Sequence, residues 1–201
     1  MPTSWMLTRL KRNAQSEHLA ANIDRLSPLH VHASKDTYRD FLAKVYGFEA
    51  PVEASLALTP KVASAIDLKA RSHLELLRAD LATLGVHNVA ALPQCWSVPR
   101  FETLGEALGW TYVIEHNALL HGRVRRHISK RLAPLADSYL AAGEKVGAAR
   151  LHELGGLLDR VAREPDVARQ VVESVKAAFR QQRQWFARAV PPGDIRPTRV
   201  A

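Results

Sequence analysis

Apolar residues recur along most of this chain at helical spacing. Leu7, Leu10, Ala14 and Ala21 fall on one stripe at 100° per residue, and His18 lies on the same stripe. The pattern predicts a loose lead-in over residues 1–7, then a first helix capped by Thr8 and running to about Leu26. Ser27-Pro28-Leu29-His30 reads as its break. A second helix starts at Ser34 or Asp36 and runs through Val45 and Tyr46 to Gly47. Thr59-Pro60 places proline at the first position of a short helix through Val62 and Ile66, which leads towards a helix ending at Gly85. Residues 90–101, with Pro93 and Pro99, form the longest irregular connection. Thr103 caps a long central helix, with Glu106 three residues on completing a capping box, and Pro134 is expected to kink or end it.

A turn is expected over Ser138–Gly143, then helices over about 147–163 and 165–189, and a mobile tail over 191–201. No segment alternates with strand period, and no repeat appears. Long amphipathic helices joined by short loops predict an all-α, single-domain bundle of about eight helices, occupying residues 8–190.

Composition sharpens this only modestly. At 201 residues the chain can bury one sizeable core, and 47% hydrophobic with 24% charged residues argues against disorder. No eighteen-residue apolar run and no charged-then-apolar leader is present, so the chain reads as cytoplasmic, without a membrane partner. The single Cys95 cannot form an internal disulfide and reads as structural. The net charge of +8 invites nucleic acid as a partner, with one basic run over residues 123–131 and another through Arg180, Arg183 and Arg188. Aromatic residues are sparse at 6% and no recognised motif interleaves them with the basic ones, which counts against it. A basic face also suits an anionic small ligand.

Taken alone, His18 on an apolar face is a core or boundary residue bonded to a carbonyl. With Lys11 one helical step to the side, it can also hold the iron of a heme while the lysine meets a propionate. Glu115 shares a stripe with Leu104, Leu108 and Thr111, so it is expected to be buried and paired with an arginine such as Arg78 or Arg126. Phe179, Trp185 and Phe186 read as bundle core, and His127 and His152 as solvated.

The run from Leu10-Lys11 to His18 resembles the proximal helix of the heme oxygenase family. Arg78-Ala-Asp-Leu-Ala-Thr-Leu-Gly85 and Leu108-Gly-Trp-Thr-Tyr-Val-Ile-Glu115 resemble two further segments of its bacterial branch, in the same order. The resemblance spans residues 8–188. It implies a heme oxygenase-like bundle in which His18 is the metal ligand and Lys11, Arg180 and Arg183 meet propionates. It also implies an electron donor such as a ferredoxin or flavoprotein reductase, and oxidative cleavage of heme to biliverdin, iron and carbon monoxide.

One segment departs from the family. Where bacterial relatives carry Gly-Ser-x-Leu-Gly-Gly over the heme, this chain has His116-Asn117-Ala118-Leu119-Leu120-His121-Gly122. Glycines there let a helix backbone approach the heme plane closely. His116 stands in place of the first glycine, and Gly122 survives in a displaced register. His116 and Leu120 lie about 40° apart on a helix, so both can project towards the heme, while His121 points some 140° from His116. An imidazole at 116 can ligate iron directly, and Asn117 can bond a distal water or satisfy a buried backbone group. Three readings follow: a heme oxygenase in which His116 and Asn117 form the distal catalytic side, a non-degrading heme-binding or sensing protein with a blocked distal pocket, and a basic helical interaction protein without heme.

Overall fold

In a computed structural model, which describes residues 4–132 and 136–188, the chain is all-α with no strand among those residues. Eight helices have nine residues or more: α1 (Trp5–Asn13), α2 (Gln15–Val31), α3 (Lys35–Leu58), α6 (Leu74–Thr83), α7 (Leu104–Ala118), α8 (His121–Ser129), α9 (Ser138–Val161) and α10 (Pro165–Ala187). Two single-turn helices, α4 (Val62–Ala65) and α5 (Leu68–Arg71), link α3 to α6. The all-helical bundle is thus as the hydrophobic pattern predicts.

The differences in element boundaries have local causes. Residues 5–7 are helical, because Ser4 caps α1 and ties it to α9: its Oγ donates to Asp159 at 2.7 Å, and the same carboxylate accepts from Met6 N–H at 2.9 Å. Thr8 therefore sits inside the helix. The expected first helix is two, α1 and α2, parted at Ala14. Pro28 does not end α2, which runs three residues further to Val31. Nor do Gly47 and Pro51 end α3, which is capped by a reciprocal Ser34–Thr37 box. Gly47 serves close packing: a Cβ there would lie 2.4 Å from the Pro93 carbonyl oxygen. Gly85, at φ 93°, follows the end of α6 as expected.

The predicted Thr103–Glu106 capping box opens α7. The central helix breaks at Leu119-Leu120, upstream of Pro134, which lies outside the described residues. Ser138–Gly143 is not a turn but the first part of α9, which runs on past Gly143. The tail from residue 191 also lies outside the described residues.

Helix α10 is the hub. Its most extensive contacts are with α7 and α2, and it also meets α1 and α3. The α7–α10 contact is close because Gly105 and Gly109 face α10: a Cβ on Gly109 would lie 2.5 Å from the Ser174 Cβ. Val171, Val175, Ala178 and Phe179 of α10 are buried beneath it, and Trp185 and Phe186 close the core at the end of the helix, as expected. Helix α9 closes the other side against α7, α8 and α6. α2 and α7 pack only sparsely on one another, so a cleft remains between them above α10.

Candidate functional site

The cleft has a volume of roughly 370 Å³ and draws its walls from four sides. Leu10 and Lys11 come from α1, His18 from α2 and Tyr112 and His116 from α7, while Phe179 of α10 lies at its base. Its size falls within the range of about 300–1,000 Å³ usual for small-molecule sites. The walls are mostly apolar, and Lys11 is exposed at the edge, where a cation can meet an anionic group without leaving water.

His18 and His116 meet in this cleft. Their Nε2 atoms are 2.6 Å apart, and the rings stand edge to face at 88° with centroids 4.1 Å apart. One Nε2–H donates and the other nitrogen accepts, so at least one proton sits between them. Asn22 Nδ2, one turn along α2, lies 2.7 Å from the same His18 nitrogen, so its N–H competes with a His116 Nε2–H for the one lone pair there. Phe179 packs on the His18 ring at 5.3 Å between centroids, and Tyr112 on the His116 ring at 5.4 Å. Burial pushes the His116 imidazole down to about 4, helped by the neighbouring His18, and burial lowers His18 as well. Both rings are neutral at pH 7 and are therefore potential ligands.

The donor set suits a heme iron held from both faces: two neutral imidazoles from opposite walls of an apolar cleft. The separation does not. A metal–imidazole bond is about 2 Å on each side, so the nitrogens must part by about 1.4 Å from their 2.6 Å contact. α2 and α7 each pack on α10 and touch each other only sparsely, so the His18–His116 hydrogen bond is the contact that a group entering between them would have to replace. His18 and His116 would hold such a group between them, and the His116 ring would leave no room beside His18 for a further small ligand.

The other expected site residues are dispersed. Asn117 turns away from the cleft into the core, where its Nδ2 donates to Gln182 Oε1 of α10 at 2.8 Å. It serves neither a distal water nor a backbone group. Leu120 falls in the α7–α8 break, and Leu119 takes its place on the cleft wall. Gly122 faces α9, where a Cβ would collide with Glu144. Arg180 lines a separate groove with Arg100 and Trp110, and Arg183 pairs with Asp24 of α2 at 2.6 Å. Lys11 alone of the three expected propionate partners borders the cleft. Glu115 is buried and paired, but with Arg71 of α5 rather than Arg78 or Arg126. Arg71 reaches it because α5 packs beside α7, whereas Arg126 is bound to Glu144. His152 is exposed as expected, and His127 is half-buried against the Leu29 carbonyl. Cys95 is buried, with Sγ 3.3 Å from Ser97 Oγ.

A second polar group lies deeper, unforeseen from the sequence. Arg25 of α2, Glu49 of α3, His121 of α8 and Tyr139 of α9 are all buried. Tyr139 donates to Glu49 Oε1 at 2.6 Å, and the His121 ring lies 4.7 Å from the Tyr139 ring. Gly143 makes room for His121, since a Cβ would lie 2.0 Å from its Nδ1. The sequence signal was present: Arg25 continues the stripe of His18, Ala21 and Leu29, and Glu49 lies on that of Val45, Val52 and Leu56.

Burial raises the Glu49 carboxyl to about 7, against the opposing hydrogen bond from Tyr139 and the charge of Arg25. A carboxyl held above its ordinary value favours the folded state when protonated, and that stability is lost as pH rises through about 7. Glu49→Gln keeps the neutral form at every pH. Urea unfolding of both proteins between pH 4.5 and 8 is expected to show the variant gaining on the wild type as pH rises, with the difference levelling above pH 7. A pH-independent difference would mean that Glu49 titrates normally.

Comparison with known proteins brings no kinship: no protein-family model, no curated protein and no solved structure matches the chain. No cluster of three or more His, Cys, Asp or Glu able to hold a bare metal ion occurs among the described residues. No helix of the described residues is long and apolar enough to cross a membrane. The basic run on α8 is partly neutralised, with Arg125 paired to Asp137 and both Arg125 and Arg126 paired to Glu144.

Proposed function

We propose that this protein binds heme in the α2–α7 cleft through His18 and His116 and does not degrade it. The observation that carries this reading is the convergence of two neutral imidazole nitrogens, from opposite walls, on one point of an apolar cleft. The resemblance of the proximal segment to heme oxygenases supports heme as the ligand. The distal imidazole argues against turnover, since oxygen activation needs an open position on the iron and two imidazoles leave none. The heme-cleaving reading, with its electron donor, is therefore the second choice. It requires His116 to swing out of the cleft when heme enters, and the loosely held α2–α7 contact is the feature that favours it. A helical interaction protein without heme would use this pairing of histidines only as a packing hydrogen bond between α2 and α7.

Hemin titration of the purified protein tests the proposal. The expected result is saturable one-to-one uptake with a low-spin ferric spectrum at neutral pH. Lys11 adds a charge at a wet rim, an interaction worth no more than about 1 kcal/mol. Lys11→Ala is expected to weaken hemin affinity severalfold, less so at high salt. Heme dimethyl ester should bind wild type and variant equally; a lysine effect that persists with the ester would remove the propionate contact.

A further inference from the structure

Behind the histidine pair, the core holds cationic and polar nitrogens with no hydrogen-bond partner among the described residues. Arg25 is 1% exposed, and neither Nη1 nor Nη2 has a hydrogen-bond partner among the described residues. His121 is 2% exposed, and both its ring nitrogens are equally unpartnered. The guanidinium carbon lies 5.4 Å from the centroid of the Phe41 ring, which accommodates its face but offers no acceptor for its N–H groups. A buried charge left without acceptors is strongly destabilising, and native proteins supply a partner for it.

We propose that Arg25 and His121 form an interior seat for a small planar monovalent oxyanion of the formate class. The guanidinium presents a flat fork of N–H donors that matches two oxygens on one carbon or nitrogen. His121, neutral because burial depresses its basicity, adds one further N–H. Water could satisfy the hydrogen bonds but not the charge.

The groups around the seat leave that charge poorly answered. Glu49 of α3 is the carboxyl whose charge acts on Arg25, and it is engaged by Tyr139 of α9 and titrates near neutrality. Glu53 of α3 is also raised by burial, and Glu115 of α7 is committed to Arg71. His73, which precedes α6, and His116 of α7 are held neutral by burial. Anion binding is therefore tighter below pH 7, where Glu49 is protonated and does not compete for Arg25, and weaker above it.

The seat goes beyond the heme reading and does not depend on it, so the test uses the whole protein without heme. Thermal unfolding is followed at pH 6.5 while sodium formate replaces sodium sulfate at constant ionic strength, with Arg25→Met as the reference. The expected result is a saturable rise in the wild-type Tm relative to the variant, by several degrees, that shrinks at pH 8.5. Equal responses of the two proteins overturn the proposal. Should Arg25→Met fail to fold, broadening of the ¹³C-formate resonance by wild-type protein, reversed by nitrate, supports the seat, and an unbroadened resonance overturns it. Failure of hemin uptake with a formate response intact would remove the heme reading and leave the seat standing.

Discussion

On the proposed ligation, His18→Ala is expected to weaken hemin binding by at least about tenfold, or ~1.4 kcal/mol, and to abolish the bis-imidazole spectrum. The fold survives the change. His18 is half-buried on a cleft wall, its ring contacts are with Phe179 and His116, and alanine is the strongest helix former. Far-ultraviolet circular dichroism should therefore match the wild type while the hemin titration does not. An unchanged titration and spectrum would mean that His18 is a core histidine, and the family resemblance would lose its anchor.

His116→Gly is expected to have the opposite spectroscopic effect. It removes the ring that faces His18 and frees the sixth position, converting a low-spin ferric complex into a high-spin one with water bound. Glycine inside α7 costs about 1 kcal/mol of helix stability, partly offset because the His116 Nδ1 is buried without a partner. The same substitution places at 116 the glycine that the resemblance to heme oxygenases implies there. Reduced variant with oxygen, and with catalase present to remove free peroxide, should yield a biliverdin band that the wild type lacks. A high-spin wild-type complex, or bile pigment from the wild type and the variant alike, would place His116 outside the iron's reach.

Local chemistry carried the legible part of the fold. The α7 cap needs only Thr103 and Glu106, three residues apart, and is present as expected. The α1 boundary was missed because what fixes it is distant: Asp159 of α9 holds Ser4 and the Met6 amide. Gly143 and Gly47 read as turns, yet each sits within a helix where a neighbour approaches too closely for a side chain. Single-sequence punctuation cannot separate these two uses of glycine.

The site divides in the same way. His18 and His116 were both visible as histidines on helix faces, but their contact joins residues 98 apart in sequence and depends on α2 and α7 sharing α10 as a support. The expected roles of Arg180 and Arg183 failed on direction. Their helix is the right one, yet Arg180 faces another groove and Arg183 is drawn to Asp24. Asn117 was placed by sequence next to the cleft, but one step around a helix is 100°, which carried it into the core to meet Gln182.

The ferric absorption spectrum of wild-type protein saturated with hemin at neutral pH tests the central claim most directly. Ligation by His18 and His116 predicts a six-coordinate, low-spin complex that stays low-spin on reduction and forms no bile pigment under oxygen with an electron donor. A high-spin complex that takes up oxygen and turns over to biliverdin, or a protein that takes up no hemin, would contradict it.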